Sequence, residues 1–272
     1  MSNIKRKIGI IGCGTIGTSL ADFCIHKMKS ECEIVAVFDE MPEAAVRLKK
    51  KSKKIKLCRS IDELVKKSDF IVESASKSVS AEILKKCIIF KKDLLIMSIG
   101  GLVGSIKLIE KARKKNINLY LPSGAIAGID GIKSASVAKI KKVRIVTKKP
   151  IKGLRGAPYF IKKGIKIEDI KKEKTVFKGT AAEAIKYFPK NVNVSALLSI
   201  AGIGAKKTQV EIRTSPEFTK NMHEITVEGD FGTIRSQTIN VPSRNNPKTS
   251  SLAIFSAIAT LKQAMQSVKI GT

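Results

Sequence analysis

Short apolar runs alternate with amphipathic segments over the first 120 residues of the chain. The apolar runs are continuous, as expected for strands buried on both faces, and the segments between them have apolar residues at helical spacing. Repeated strand–helix units of this length predict a mostly parallel sheet covered by helices. The predicted strands are residues 7–11, 33–38, 56–58, 70–73, 94–98 and 118–121, and the predicted helices include 15–29, 41–51, 79–87 and 105–115.

The pattern changes after Pro122. Three strands follow one another without a helix between them, which indicates antiparallel pairing and an α+β arrangement. The final helix is predicted to start near Pro247, with Asn246 as its N-cap. The predicted elements of this half are strand 143–147, helices 180–188 and 192–205, and strands 208–214, 222–228 and 233–241.

A glycine motif, GCGTIG at residues 12–17, lies between the first strand and the first helix. In this position Gly12 permits a tight turn, and Gly14 lets the backbone approach a diphosphate. Gly17 lets the helix lie close to the strand. The motif therefore predicts a dinucleotide site. A glycine turn without a ligand is the alternative, and the strand–turn–helix context disfavours it.

Two neighbouring features support a dinucleotide. Thr15 and Ile16 begin the helix, where backbone N–H groups face a bound diphosphate. Asp39 ends the second strand, where a carboxylate accepts hydrogen bonds from the adenosine ribose hydroxyls. The same carboxylate repels a 2′-phosphate, so it favours NAD over NADP, although the nearby Arg47 can soften that preference.

Turns of small residues follow two later strands. Ser74 and Ala75 come after strand 70–73, and the sequence SIGG at residues 98–101 comes after strand 94–98. Ligands of such folds bind at the carboxyl ends of the strands, where small residues leave space for a cofactor. Ordinary tight turns are an equally acceptable interpretation of both segments.

The two halves of the sequence predict two domains. We expect a dinucleotide-binding Rossmann-type α/β domain over residues 1–121 and a second, α+β domain over residues 122–241. The last segment, 242–272, is expected to complete the first domain, because its helix can pack back onto that domain.

Composition adds little that is specific to function. The net charge of +29 would suit nucleic-acid binding, but the lysines are spread over the whole chain and do not interleave with aromatic residues. We therefore expect no specific nucleic-acid partner, although a positive field attracts anionic ligands.

Five cysteines without a CxxC pair and only two histidines predict reduced thiols and no metal site. Without a long apolar run or a signal peptide, a cytoplasmic protein with no membrane contact is expected.

Three segments of the second half are more specific than the glycine motif. They are LPSGAIAGID at residues 121–130, FPKNVNVSA at 188–196 and NPKTS at 246–250 with the helix beyond. Together with His223, they resemble the L-aspartate dehydrogenase family. The resemblance extends over essentially the whole chain, with the segments in the same order.

This resemblance implies a Rossmann domain followed by an α+β domain that carries catalysis and subunit contacts. It implies oxidation of L-aspartate with NAD or NADP to iminoaspartate. That product hydrolyses to oxaloacetate and ammonia or feeds de novo NAD biosynthesis. A homo-oligomer is expected, with a dimer favoured.

The resemblance also implies roles for individual residues. His223 corresponds to the catalytic histidine of the family. The nicotinamide-side positions correspond to Ala125 or Ala127 in one loop and to Asn191 or Asn193 in another, and the sequence leaves both choices open.

Physical reasoning supports these roles unequally. His223 alternates with apolar residues on a predicted strand, so it is expected to point inward. A pKa near neutrality would suit proton transfer there, whereas a satisfied core histidine is the alternative. Asparagine has the donor and acceptor groups that a carboxamide needs, but one of the two asparagines can instead cap a helix. Ser123, Thr249 and Ser250 are expected to contact the substrate, the last two from a helix N-terminus, unless they are first-turn residues with no ligand.

Two other functions remain open at the level of sequence. One is a related two-domain oxidoreductase of the homoserine dehydrogenase or dihydrodipicolinate reductase type. The other is a redox-sensing nucleic-acid-binding protein, which only the net charge supports.

Overall fold

The computed structural model describes residues 5–189, 193–244 and 246–271. The chain divides into two compact units. One contains the chain up to Pro122 and Ile254–Lys269, and the other contains Ser123–Ala253 with residues 270 and 271. No helix within the described ranges has the length and apolar character that a bilayer-spanning segment needs.

A six-stranded sheet forms the centre of the first unit. Its strands are β1 (Arg6–Ile11), β2 (Cys32–Phe38), β3 (Lys56–Leu57), β4 (Phe70–Glu73), β5 (Asp93–Ile96) and β6 (Leu119–Tyr120). The strand order is β3-β2-β1-β4-β5-β6, and every neighbouring pair is parallel. This arrangement confirms the predicted Rossmann-type sheet. The chain reverses its direction of winding between β1 and β4, which is where such folds form a ligand crevice.

Five helices connect the strands of this sheet. They are α1 (Thr15–Lys27), α2 (Pro42–Lys49), α3 (Ile61–Lys67), α4 (Ser80–Phe90) and α5 (Ile106–Lys114). Local sequence explains two of their starts. The side chain of Ser60 caps α3 by accepting a hydrogen bond from the N–H of Glu63 at 3.2 Å. Pro42 occupies the first turn of α2, where an N–H is not needed.

The second unit is built on a five-stranded mixed sheet. Its strands are β7 (Ile140–Pro150), β8 (Lys174–Thr180), β9 (Gln209–Ser215), β10 (Asn221–Gly229) and β11 (Gly232–Asn240), in the order β11-β10-β7-β9-β8. Its helices are α6 (Ile129–Ala135), α7 (Pro158–Lys163), α8 (Ala181–Tyr187) and α9 (Asn193–Ala201). The three successive predicted strands exist as β9, β10 and β11. Only β10 and β11 pair with each other, because β7 lies between β9 and β10 and pairs in parallel with β9.

One face of this sheet changes from apolar to polar along β7. Val143 and Ile145 are buried there with Ile225 and Val227 of β10. Further along the same face, the side chains become polar, beginning with Thr147. This polar end of the sheet carries the candidate site residues of the second unit.

The segment before the last helix differs from its prediction. β12 (Pro242–Ser243) and β13 (Asn246–Ser250) pair antiparallel, and α10 (Ser251–Met265) follows. The predicted helix start near Pro247, with Asn246 as N-cap, is therefore wrong. The backbone of Ser250 pairs with Pro242, and the N–H of Ser251 donates to the carbonyl of Val241 at 2.9 Å, so the chain becomes helical only from there.

The last helix packs onto the first unit, as predicted. Its residues Ala257 and Leu261 are fully buried in the cluster that contains Ile8 and Leu20. Residues 254–269 therefore complete the first unit, whereas residues 242–253, which were expected to belong to it, lie in the second.

Candidate functional site

The glycine turn of the first unit is packed too closely for side chains at two positions. Gly12 has a φ of +90°, and a Cβ atom on it would lie 2.5 Å from the backbone of Ser74 and Ala75. A Cβ on Gly17 would lie 2.1 Å from the carbonyl oxygen of Gly12. These two glycines are thus required for the path of the backbone itself.

Gly14 differs from the other two glycines of the turn. It is exposed, it precedes the first residue of α1, and a Cβ on it would meet no protein atom within 4 Å. The backbone of Thr15 and Ile16 follows directly at the N-terminal end of the 13-residue helix. Protein packing does not explain a glycine here, whereas a diphosphate that approaches the backbone does.

Asp39 is held beside the same turn. Its carboxylate accepts the N–H of Cys13 at 2.6 Å and the N–H of Met41 at 2.8 Å. Each carboxylate oxygen has a further lone pair that can accept a hydrogen bond. The side chain is half-buried at the end of β2, as its sequence position predicts.

Glu73, which the sequence pattern does not single out, connects the turns after β4 and β5 through hydrogen bonds. Glu73 is fully buried and accepts the N–H groups of Ala75 and Ser98, each at 2.9 Å. Burial raises the pKa of Glu73, while these hydrogen bonds act in the opposite direction. Ser74 donates to the carbonyl of Gly12 at 2.7 Å, so its hydroxyl supports the glycine turn. An acidic residue at the end of an otherwise apolar strand was the available signal.

His223 lies on β10, at the polar end of the sheet in the second unit. It is only 4% exposed and shares its face with Ile225 and Val227, as the alternation predicts. Nδ1 lies 3.0 Å from the hydroxyl of Thr147, its direct neighbour on β7. Burial, and then the charge of Lys149, lower the pKa of His223 to about 3. The imidazole is therefore neutral at physiological pH.

The loop at residues 123–128 is anchored to β11, the strand on the other side of His223. The carbonyl of Ala125 accepts hydrogen bonds from Thr238 Oγ1 at 2.9 Å and from Asn240 Nδ2 at 3.0 Å. Thr238 is the direct partner of His223 across the two strands. The sheet thus brings the backbone of this loop to the histidine.

A second anchor fixes the same loop further along. The carbonyl of Ala127 accepts a hydrogen bond from Ser236 Oγ at 2.9 Å, and Gly128 follows with a φ of +90°. Both alanines singled out by sequence are therefore held by their backbones.

Of the other predicted site residues, Ser250 contacts the residues around the loop at 123–128. Ser250 donates to Asn240 Oδ1 at 2.7 Å, so it joins the group around the loop, although it lies on β13 and not in a helix. Ser123 and Thr249 are half-buried. Asn193 is exposed at the first position of α9, whereas Asn191 lies outside the described residues.

The site residues therefore form two groups, one in each unit. The first group surrounds the glycine turn, and the second surrounds His223. The sequence pattern does not single out the polar partners Thr147, Ser236, Thr238 and Asn240. Their signal is the appearance of polar side chains at alternate positions that are otherwise apolar on the same strands.

Comparisons with known proteins agree with this division. The family model described as "Aspartate dehydrogenase, C-terminal" matches residues 130–264, and that described as "Homoserine dehydrogenase, NAD binding domain" matches residues 12–122. Among curated proteins, the chain is 43% identical to an L-aspartate dehydrogenase of Methanosarcina barkeri over 98% of this chain and 99% of the relative. It is 42% identical to an L-aspartate dehydrogenase of Methanosarcina mazei, again over 98% and 99%.

A solved structure supports the fold. The crystal structure of aspartate dehydrogenase from Thermotoga maritima matches with a TM-score of 0.77 over 98% of this chain and 99% of that chain. The sequence identity is 23%, so this likeness bears on the architecture of the chain.

Proposed function

The chain belongs to the L-aspartate dehydrogenase family, and from this membership we propose that it oxidises L-aspartate to iminoaspartate with NAD or NADP. The acceptor is a nicotinamide dinucleotide, as the family and the Rossmann-type unit indicate. The iminoaspartate hydrolyses to oxaloacetate and ammonia unless another enzyme consumes it first.

Residues of the first unit are proposed to hold the cofactor. The exposed backbone at Gly14 and the N-terminal end of α1 would bind the diphosphate. The carboxylate of Asp39 would accept hydrogen bonds from the adenosine ribose hydroxyls. The bound nicotinamide supplies one chemical function, which is to accept a hydride from the substrate Cα. A carboxylate at residue 39 favours NAD, because it repels the 2′-phosphate of NADP.

Residues of the second unit are proposed to handle the substrate and its proton. The substrate ammonium must lose one proton before the Cα–H bond can release a hydride and leave a protonated imine. The imidazole of His223, neutral at physiological pH, is proposed to orient the water that later attacks the imine, or to accept that proton once substrate binding has raised its pKa from about 3. The Ala125 and Ala127 backbone, with Asn191 or Asn193, is proposed to bind on the nicotinamide side.

One observation carries this proposal. His223 is buried and neutral, and it contacts Thr147 on the neighbouring strand β7. On its other side, Thr238 and Asn240 of β11 hold the loop at residues 123–128 by hydrogen bonds to the carbonyl of Ala125. A core histidine would not need a loop fixed beside it by side chains of the adjacent strand. The arrangement suits a site in which a reacting group must be held in place.

The biological setting is proposed from the family resemblance. We propose a homodimer in the cytoplasm whose iminoaspartate feeds de novo NAD biosynthesis. Size-exclusion chromatography with light scattering tests the dimer directly, because a monomer at micromolar concentration would contradict it.

The enzymatic proposal is tested by absorbance at 340 nm. Oxaloacetate and ammonia should consume NADH, and L-aspartate should reduce NAD in the reverse direction. Homoserine is the matched control substrate, since one family model that fits the first unit is named for homoserine dehydrogenase. Activity with homoserine but not with L-aspartate would establish the alternative.

A further inference from the structure

Lys149 is a cation that has no assigned role in the reaction above. It lies on β7 two residues after Thr147, so both side chains are on the sheet face that carries His223 on the next strand. Thr147 connects the two positions through its contact with His223 Nδ1 at 3.0 Å. Lys149 is also the charge that, after burial, lowers the pKa of His223.

The surroundings of Lys149 favour an anion. Lys149 lines a cavity of about 10 Å³, room for one water molecule or one carboxylate oxygen, with Thr147, Ala184, Ser195 and Ile212, and none of the described residues that line it is acidic. Ser195 belongs to the first turn of α9, and the N-terminal end of a helix carries partial positive charge. A lysine and a helix N-terminus therefore raise the electrostatic potential at the same place.

The ammonium of Lys149 is poorly hydrated. The residue is half-buried, and although part of it reaches solvent, desolvation lowers the pKa of its amino group to about 8. A carboxylate that approaches such a partly desolvated ammonium is attracted more strongly than it would be by a fully solvated one. L-aspartate carries two carboxylates at neutral pH.

Resting on the proposed function, we propose that Lys149 binds a carboxylate of L-aspartate beside His223. This contact would select an acidic substrate and would place the amine for proton transfer to the imidazole. The negative charge of the bound carboxylate would also offset the effect of Lys149 on His223.

The binding experiment uses succinate, a dicarboxylate that lacks the amine, titrated calorimetrically into the NADH-saturated enzyme. Lys149→Met should weaken succinate binding by roughly thirtyfold or more, because the charge partner is removed. Lys149→Arg should restore most of the affinity. Lys148→Met is the matched control, since Lys148 points to the other face of β7 and pairs with Glu224 at 3.2 Å.

The wild-type protein provides a test that needs no substitution. Only the ammonium form of Lys149 attracts a carboxylate, so succinate affinity should be constant between about pH 6.5 and pH 7.5, where both succinate carboxylates are ionised, and should fall by up to about tenfold per pH unit above about pH 8. Glu211, Arg213 and Glu224 pair with Val146 or Lys148, whose side chains lie on the other face of β7. Among the described residues that line the cavity or pair with Thr147 or Lys149, His223 is the other titratable group. Its pKa of about 3 lies outside this range. The Lys149→Arg enzyme should lack the decline, because arginine stays protonated.

Two results would overturn the inference. One is unchanged succinate affinity in Lys149→Met with a flat pH dependence in the wild type. The other is unchanged affinity combined with a loss of turnover that high pH restores, which would make Lys149 a proton acceptor instead. Failure of the wild-type enzyme to oxidise L-aspartate would contradict the proposed function, and the succinate titration would still report on Lys149.

Discussion

At the scale of single residues, the neutral state of His223 is the main chemical finding. Its pKa of about 3 means that the imidazole is neutral between pH 5 and pH 8. A pH dependence of turnover in that range is therefore expected from the substrate, from Lys149 or from a rise in the His223 pKa on substrate binding.

His223→Ala should lower kcat by about 10² to 10⁴, the usual contribution of a positioned acid or base. The affinity for NADH should change by less than about twofold, because His223 is not among the residues of the first unit that are proposed to hold the diphosphate and the adenosine ribose. Steady-state kinetics and fluorescence titration with NADH measure the two effects. Unchanged kcat would remove His223 from the reaction.

Asp39→Ser should shift cofactor preference towards NADPH by roughly tenfold to a hundredfold in kcat/KM, since the repulsion of a 2′-phosphate is removed. Arg47 can assist, because its charge and that of Asp39 both influence the Cys13 thiol. The variant also loses the acceptor of two backbone N–H groups, so its thermal stability must be measured in parallel. Glu40→Ser, at the exposed neighbouring position, is the control and should leave the NADH to NADPH ratio unchanged.

Residues were predictable from sequence where their function depends on local spacing. The glycine turn and Asp39 belong to one strand–helix–strand unit, so residues that are close in sequence are enough to predict their roles. Thr147 and Asn240 depend on strand register, since Thr147 meets a histidine 76 positions away. No local pattern specifies which strands become neighbours, and so these contacts were found only in the structure.

At the scale of elements, β11 determines how the loop at 123–128 is held. Asn240 is 3% exposed and bridges two segments, because it donates to the carbonyl of Ala125 and accepts from Ser250. The strand thus supports the site without carrying the reacting group.

Asn240→Ala should lower kcat/KM for L-aspartate by about tenfold, which corresponds to the loss of one buried hydrogen bond. The matched control is Gln237→Ala on the exposed face of the same strand, which should leave kcat/KM unchanged. Equal losses in both variants would show that the effect comes from the strand as a whole.

An ion cluster joins β7 to β9 on the opposite face of the sheet. Burial alone would raise the pKa of Glu211, but hydrogen bonds from Arg144, Arg213 and Thr175 outweigh it and lower the pKa to about 2. The contribution to folding stability is thus present above the unfolded pKa of 4.5 and is lost as pH falls through about 2.

Glu211→Gln should destabilise the protein by about 3 kcal/mol at neutral pH, because two arginines lose their buried partner. The variant should also show a smaller decline of stability between pH 4.5 and about 2. Denaturant unfolding at several pH values measures both. Glu173→Gln removes only the exposed partner of Arg213 and should cost less than about 1 kcal/mol.

The order of elements was predictable in the first unit and only partly in the second. Continuous apolar strands that are separated by helices predict a parallel sheet, because helices then cover both of its faces. In the second unit, β8 and α7 lie in a lysine-rich stretch whose apolar pattern is weak, and β13 was mistaken for a helix start. Asn246 and Pro247 are typical of helix N-termini, but pairing with β12 outweighs that local preference.

At the scale of the whole molecule, the net charge of +29 acts at long range. Both the dinucleotide and L-aspartate are anions, so the field of the protein should accelerate their encounter. This effect requires no particular lysine.

Raising the salt concentration to about 0.3 M should lower kcat/KM for L-aspartate several-fold while kcat at saturation changes little, because screening acts on encounter. Stopped-flow measurement of NADH association gives an independent readout. A parallel fall of kcat and kcat/KM would show that salt acts on the reaction itself.

The anchoring of the loop through carbonyl oxygens also bears on how this enzyme can evolve or be redesigned. The groups that fix the loop are present in every amino acid, so exchanging Ala125 or Ala127 for larger side chains would alter the shape offered to a ligand while the hydrogen bonds from β11 persist. On the proposed assignment of Ala125 and Ala127 to the nicotinamide side, selectivity can be remodelled at these two positions separately from the scaffold that supports them.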